Sequence, residues 1–262
     1  PRPSYAERDE TYATNGMGTV HLPAASRRVD SVRAVVCVTS DKCYENREWV
    51  WPYRENDPMG GHDPYSSSKG AAELVISPYR PSYFEDGARL ASVRARNVIG
   101  GGDWPADRLV PDIVRAMIAG ARPEIRSPAS IRPWQHVLEA LGGYLLIAQR
   151  LLEGKDAAAT AWNFGPAEED TRPVGWIVGQ MLGAWGAGGW DRPAGEQPHE
   201  AVLLKLDCSK ARSELGWRPK LRLHEALMMV VEWHRGVARG ADAIGLSRRV
   251  ARLPDATLRV PG

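Results

Sequence analysis

Two hydrophobic rhythms alternate along the first two-thirds of the chain. Residues 10–29 place Val20, Leu22 and Ala25 on one side and predict a helix, although Gly16 and Gly18 each cost about 1 kcal/mol relative to alanine. Residues 33–38 form a short, nearly continuous apolar and β-branched run, as expected of a strand buried on both faces of a parallel sheet. The polar cluster Thr39-Ser40-Asp41-Lys42 follows at once and should lie at that strand's carboxyl end, the edge where open α/β sheets bind ligands. A loop over 45–63 leads to a helix starting at Pro64, a residue suited to the first helical position. Pro78 and Pro81 should kink or end it. Residues 90–95 predict a second strand, and 97–105 a glycine-rich loop. Helices are expected at 107–119, 137–152, 173–182 and 224–233, a loop at 131–136, and a strand at 161–164. This alternation predicts an α/β fold: a Rossmann-like doubly wound parallel sheet with a smaller mixed C-terminal substrate-binding domain. The expected division is 1–100, then 101–235 with some segments returning to the sheet, then a loosely packed tail over 236–262.

Composition narrows the picture by exclusion. The 262 residues are 43% hydrophobic and 25% charged, with a net charge of +2, so no clustered basic face suggests a nucleic-acid partner. Apolar runs are short and broken by charge, and residues 1–5 lead into a charged stretch, so neither a membrane helix nor a secretory leader is expected. Cys37, Cys43 and Cys208 are odd in number and irregular in spacing, which argues against a disulfide framework and fits a reducing cytoplasm. Neither they nor the six histidines have metal-ligand spacing.

Candidate chemistry begins with Tyr65 and Lys69. At i and i+4 on one helix face, a lysine ammonium stabilises the phenolate and lowers the tyrosine pKa from about 10, so that the hydroxyl trades protons near neutral pH. The spacing alone fits a surface tyrosine and lysine equally well. Ser40, at a predicted strand end, completes an ordered Ser–Tyr–Lys set that resembles the triad of short-chain dehydrogenases/reductases.

Longer stretches carry a closer resemblance. Residues 39–46 (TSDKCYEN), 53–66 (YRENDPMGGHDPYS), 96–104 (RNVIGGGDW), 132–137 (RPWQHV) and 204–210 (LKLDCSK) together resemble the CDP-glucose 4,6-dehydratases of the NAD-dependent epimerase/dehydratase family. The likeness runs in family order from about Ser4 to about Trp233. It implies NAD as cofactor, a nucleotide sugar as substrate and a homodimer. It also implies roles: Tyr65 takes the C4 hydroxyl proton, Lys69 tunes Tyr65 and holds the nicotinamide ribose, and Ser40 binds the C4 oxygen. Asp41 would protonate the departing C6 oxygen, and Lys42 would remove the C5 proton. The dTDP-glucose enzymes have Asp-Glu at this pair, so Asp-Lys points to CDP-glucose. A lysine base must be neutral, so its pKa must fall from about 10.4. Asn15 resembles the helix asparagine that orients the catalytic lysine at the cofactor. Asn97 and Arg132 resemble sugar-nucleotide and pyrophosphate contacts, and Trp104, Arg108 and Glu200 are further candidates for the nucleotide pocket or for structural work. Trp134, Trp162 and Trp217 read as packing residues.

The family's strand–GxxGxxG–helix start, which cradles the NAD pyrophosphate, does not occur in these residues, and Gly100-Gly101-Gly102 is no substitute. The expectation is therefore an N-terminally truncated family member that lacks the first strands, leaves residues 33–38 with an exposed edge, and binds NAD poorly or not at all. The alternatives are another sugar-nucleotide dehydratase or epimerase, or a non-catalytic remnant. An epimerase has no use for a separate elimination acid and base, so Asp41-Lys42 argues against it.

Overall fold

The computed structural model describes residues 2–85, 87–193 and 204–252. They form two compact units: Pro1–Arg96, Leu141–Gly165 and Leu204–Arg218 in the first, and Asn97–Ala140, Pro166–Leu203 and Pro219–Gly262 in the second. The chain crosses between them more often than a boundary near 100 implies, because residues 141–165 and 204–218 return to the first unit.

The first unit is built on three parallel strands, β1 (Ala34–Val38), β2 (Arg89–Ala95) and β6 (Ala161–Phe164), in the order β1-β2-β6. Val38 of β1 pairs with Val93 of β2, and Thr39 extends the ladder by donating to the Val93 carbonyl at 2.9 Å. Strand alternation divides β2 between two layers. Leu90 packs with Val35, Cys37, Ile76 and Phe84 beneath α4 (Pro64–Tyr83). Ala91 and Val93 pack on the other side with Ile147, Leu151, Trp162, Phe164 and Trp217. That second layer comes from α6 (Val137–Leu152) and α8 (Ser209–Glu214).

The predicted first helix is divided. It comprises α1 (Arg2–Ala6), α2 (Arg8–Tyr12), a π-helical turn at Ala13–Met17 and α3 (Gly18–Ser26). Pro78 and Pro81 do not end α4, which continues to Tyr83. Both prolines lie on its exposed side, where water can satisfy the carbonyls that lose their N–H partners.

In the second unit, α5 (Leu109–Ile118), α7 (Val174–Trp185) and α9 (Leu223–Ala238) enclose a core that includes Ile113, Val114, Ile177, Met181, Leu227 and Val230. Two short strand pairs accompany it. β3 (Val98–Ile99) runs parallel to β5 (Gln135–His136), and β4 (Ile131–Pro133) antiparallel to β7 (Thr171–Pro173). The predicted loop at 131–136 is thus two strands. Within the predicted tail, α10 (Ala243–Arg252) seats Leu246 against Gly236 of α9, and Ser247 accepts a hydrogen bond from Trp233 Nε1 at 3.0 Å.

Candidate active site

Helix α4 starts where its sequence dictates. Asp63 Oδ1 accepts from the Ser66 amide at 3.0 Å, Asp63 Oδ2 accepts from the Ser66 hydroxyl at 2.6 Å, and Pro64 occupies the first helical turn. The cap fixes Tyr65 at the helix entry. Lys69 lies one turn on, its Nζ 5.9 Å from the centre of the Tyr65 ring. Burial holds the Lys69 ammonium below its ordinary pKa. Asn15, in the π-helical turn, donates from Nδ2 to Ser68 Oγ at 3.0 Å, and the Ser68 hydroxyl donates to the Tyr65 carbonyl at 2.7 Å. Asn15 therefore meets α4 at the residue before Lys69.

The strand β1 delivers the second group. Ser40 caps a 3-10 turn at Asp41–Cys43: its Oγ accepts from the Lys42 amide at 3.2 Å and donates to Asp41 Oδ1 at 3.0 Å. The turn sits backbone to backbone with α4. Gly60 donates to the Cys43 carbonyl at 2.8 Å, and a Cβ on Gly70 would come within 3.2 Å of Gly60 N and 3.3 Å of that carbonyl. A side chain at 70 would have to push these backbone atoms back by a few tenths of an ångström, so glycine there favours the close approach that sets the turn carrying Asp41 and Lys42 against the helix carrying Tyr65 and Lys69.

Two features escaped the sequence reading. One is a buried polar network one helical turn beyond Lys69. Glu73 Oε1 accepts from Arg94 Nε at 2.8 Å and from Thr39 Oγ1 at 2.5 Å, and Oε2 accepts from Arg94 NH2 and Ser92 Oγ, both at 2.8 Å. Burial pushes the Glu73 carboxyl up, but the Arg94 fork and charge outweigh it and hold the group below the usual carboxylate range. Arg94 NH1 also donates to Tyr44 Oη at 2.6 Å, and Tyr44 donates to Asn163 Oδ1 at 2.8 Å, so the network joins α4, β2, the 3-10 turn that Tyr44 closes and β6. The other feature is Arg96, just past β2, whose NH1 lies 3.3 Å from Asp41 Oδ2. The signal for both was a pair of arginines two apart, one in a strand of mostly buried residues and one just past it.

Asn97, Trp104, Arg108 and Arg132 belong to the second unit. Asn97 takes a left-handed conformation with φ 37°, donates from Nδ2 to the Pro133 carbonyl at 3.0 Å, and so stands beside the Arg132 segment. Trp104 packs edge-on against His234 at 5.0 Å between centroids. Arg108 NH1 reaches Asp103 Oδ1 at 3.4 Å. Glu200 lies outside the described residues. The glycines 100–102 present no open phosphate cradle: a Cβ on Gly101 would lie 2.3 Å from the Trp233 ring, and one on Gly100 would lie 2.8 Å from Val137.

The NAD dependent epimerase/dehydratase family matches residues 1–165. The chain belongs to this family. The CDP-glucose 4,6-dehydratase of Salmonella typhimurium is 53% identical over 255 residues, which is 95% of this chain and 71% of that protein. The dTDP-glucose 4,6-dehydratase of Streptomyces antibioticus is 30% identical over 227 residues, 85% of this chain and 63% of that one. Among solved structures, the dTDP-glucose 4,6-dehydratase DesIV from Streptomyces venezuelae, with NAD and TYD bound, superposes with a TM-score of 0.77 at 24% identity, covering 92% of this chain and 71% of that chain. The fold is the Rossmann type of these epimerase/dehydratase family structures. Among the described residues, no helix is long and apolar enough to cross a membrane.

Proposed function

We propose that this member of the epimerase/dehydratase family is a nucleotide-sugar 4,6-dehydratase acting on CDP-glucose, which it converts to CDP-4-keto-6-deoxyglucose. The observation that carries the reading is the Ser40-Asp41-Lys42 turn, held by backbone contact against the helix bearing Tyr65 and Lys69. The identity to the Salmonella enzyme supports the choice of nucleotide.

The chemistry follows from what the substrate lacks. The C6 hydroxyl is a poor leaving group and C5–H is not acidic. A ketone at C4 cures the second defect by making C5 an α-carbon. NAD, when bound, supplies the acceptor for the C4 hydrogen and returns it to C6, so it is not consumed. The donor set fits the ribose and nicotinamide end of that cofactor: a phenol at Tyr65, a half-buried ammonium at Lys69, and Asn15 joined to their helix. In this reading the Ser40 hydroxyl binds the C4 oxygen and Tyr65 removes its proton. The half-buried Lys69 ammonium favours the phenolate. Lys42 then takes the C5 proton, the electron pair forms C5=C6, and the C6–O bond breaks. The departing oxygen takes a proton from Asp41 and leaves as water, and the proton held by Lys42 returns to C5 as the C4 hydrogen is delivered to C6. Asn97 and Arg132 are proposed to hold the sugar nucleotide, with Trp104 and Arg108 in its pocket. An epimerase would leave Asp41 and Lys42 without a task.

The exposed apolar residues Tyr12, Met17, Leu22 and Tyr83 along the N-terminal helical segment and α4 support a homodimer. The unpaired, buried cysteines support a reducing, cytoplasmic location.

The decisive experiment is Lys42→Met with CDP-glucose and NAD. Oxidation at C4, followed as reduced-nicotinamide absorbance in a single turnover, should persist, while loss of water should fall by about 100-fold or more. Loss of both steps together would remove Lys42 from the role of base. Absence of dehydrated product from the unchanged chain, with NAD binding established by titration, would reject the dehydratase reading.

A further inference from the structure

Arg96 leaves β2 beside the point where Asp41 leaves β1, because the parallel register pairs Val38 with Val93 and Thr39 continues it through the Val93 carbonyl. Alternation along β2 sends Ser92 and Arg94 toward Glu73 of α4, and residue 96 continues that phase. The Arg96 side chain is 4% exposed, and a guanidinium so deeply buried needs a counter-charge. Asp41, 7% exposed, supplies it through Oδ2 at 3.3 Å. Its other oxygen accepts from the Ser40 hydroxyl at 3.0 Å. The carboxyl is thus held from both sides, once by the serine assigned to the C4 oxygen and once by an arginine given no role above.

We infer that Arg96 is a positioning residue for the elimination step, orienting Asp41 toward the departing C6 oxygen and stabilising the carboxylate that remains once Asp41 has given up its proton. The inference rests on the dehydratase reading. Arg96 acts through Asp41 and not on the sugar. In the step it serves, Lys42 takes the C5 proton, the C5–H pair becomes C5=C6, the C6–O bond breaks, and the oxygen takes the Asp41 proton and leaves as water. Oxidation at C4 draws on Tyr65, Lys69 and Ser40, so it should not need Arg96.

The test uses the full chain with CDP-glucose and NAD, and four variants: Arg96→Met, Arg96→Lys, Asp41→Asn and Arg96→Met with Asp41→Asn. Single-turnover reduced-nicotinamide absorbance reads oxidation, and mass spectrometry reads loss of water. Arg96→Met should leave oxidation within about twofold of the unchanged chain and slow water loss at least about tenfold, so that reduced nicotinamide accumulates. Arg96→Lys should recover a substantial part of the loss while retaining the charge, and it also serves if the methionine variant does not fold. In the Asp41→Asn background, Arg96→Met should cost nothing more, since both residues act as one unit. Water loss at the unchanged rate in Arg96→Met, oxidation falling in step with it, or an equal penalty in the Asp41→Asn background would each overturn the inference. A chain that holds NAD, as titration reads it, yet oxidises and dehydrates neither CDP-glucose nor dTDP-glucose would fail one stage earlier and overturn the dehydratase reading itself.

Discussion

His136 stands at the junction of β5 and α6, 2% exposed, and its Nδ1 accepts a hydrogen bond from the Leu138 amide at 3.2 Å. It therefore does the work of a helix cap, and it can do so only as neutral imidazole, because the protonated ring has no acceptor. Burial pushes its pKa down to about 4. The unfolded chain, with a histidine near 6.5, binds more protons than the folded one between those values, so folding stability rises with pH across that window. The contribution is full above pH 6.5 and is lost as pH falls toward 4, a difference on the order of 3 kcal/mol. Urea denaturation from pH 4 to 7 should show this slope. His136→Asn, which retains an acceptor for the Leu138 amide but does not titrate, should flatten it.

Among the elements, α4 depends on one residue more than any other. Glu73 anchors its middle to β2 through the buried Arg94 fork, and both side chains are 3% exposed. Removing one member of such a pair strands the other charge, so Glu73→Gln should destabilise the first unit by roughly 3–5 kcal/mol, read from the denaturant midpoint. The helices α4 and α6 and the strands β1, β2 and β6 were legible in the sequence, because caps, prolines and β-branched runs are local signals. The short strands β3, β4, β5 and β7 were not: two or three residues are too few to establish a period, and partners distant in the chain define them. Pro78 and Pro81 misled because solvent exposure of the affected carbonyls is a tertiary fact. The site divided the same way. Tyr65, Lys69 and the Ser40-Asp41-Lys42 turn could be read from spacing and resemblance. The alternation that puts Arg94 and Arg96 on the α4 side of β2 was visible too, but their partners at 73 and 41 were not, since only the folded sheet brings them near.

For the molecule as a whole, the three cysteines offer a simple gauge of integrity. Cys37, Cys43 and Cys208 are unpaired and buried in the first unit, and burial raises their pKa values, to about 11 for Cys37 and about 12 for Cys208. A thiol that is both inaccessible and protonated reacts only after the fold opens. Titration with an aromatic disulfide reagent at neutral pH should therefore find almost no reactive thiol in the folded chain and all three in denaturant. Early reaction at Cys37 alone would mean that β1 opens before the rest of the unit. The pairing of β1 with β2 carries a last consequence, for changes in chain length. An insertion in the connection between α4 and β2 alters only a path between elements. An insertion within β2 advances every later residue by about 3.3 Å and turns it to the opposite face of the sheet. One residue added within β2 would separate the Arg96 guanidinium from Asp41 as effectively as deleting it, and a substitution scan, which keeps length constant, would not detect that sensitivity.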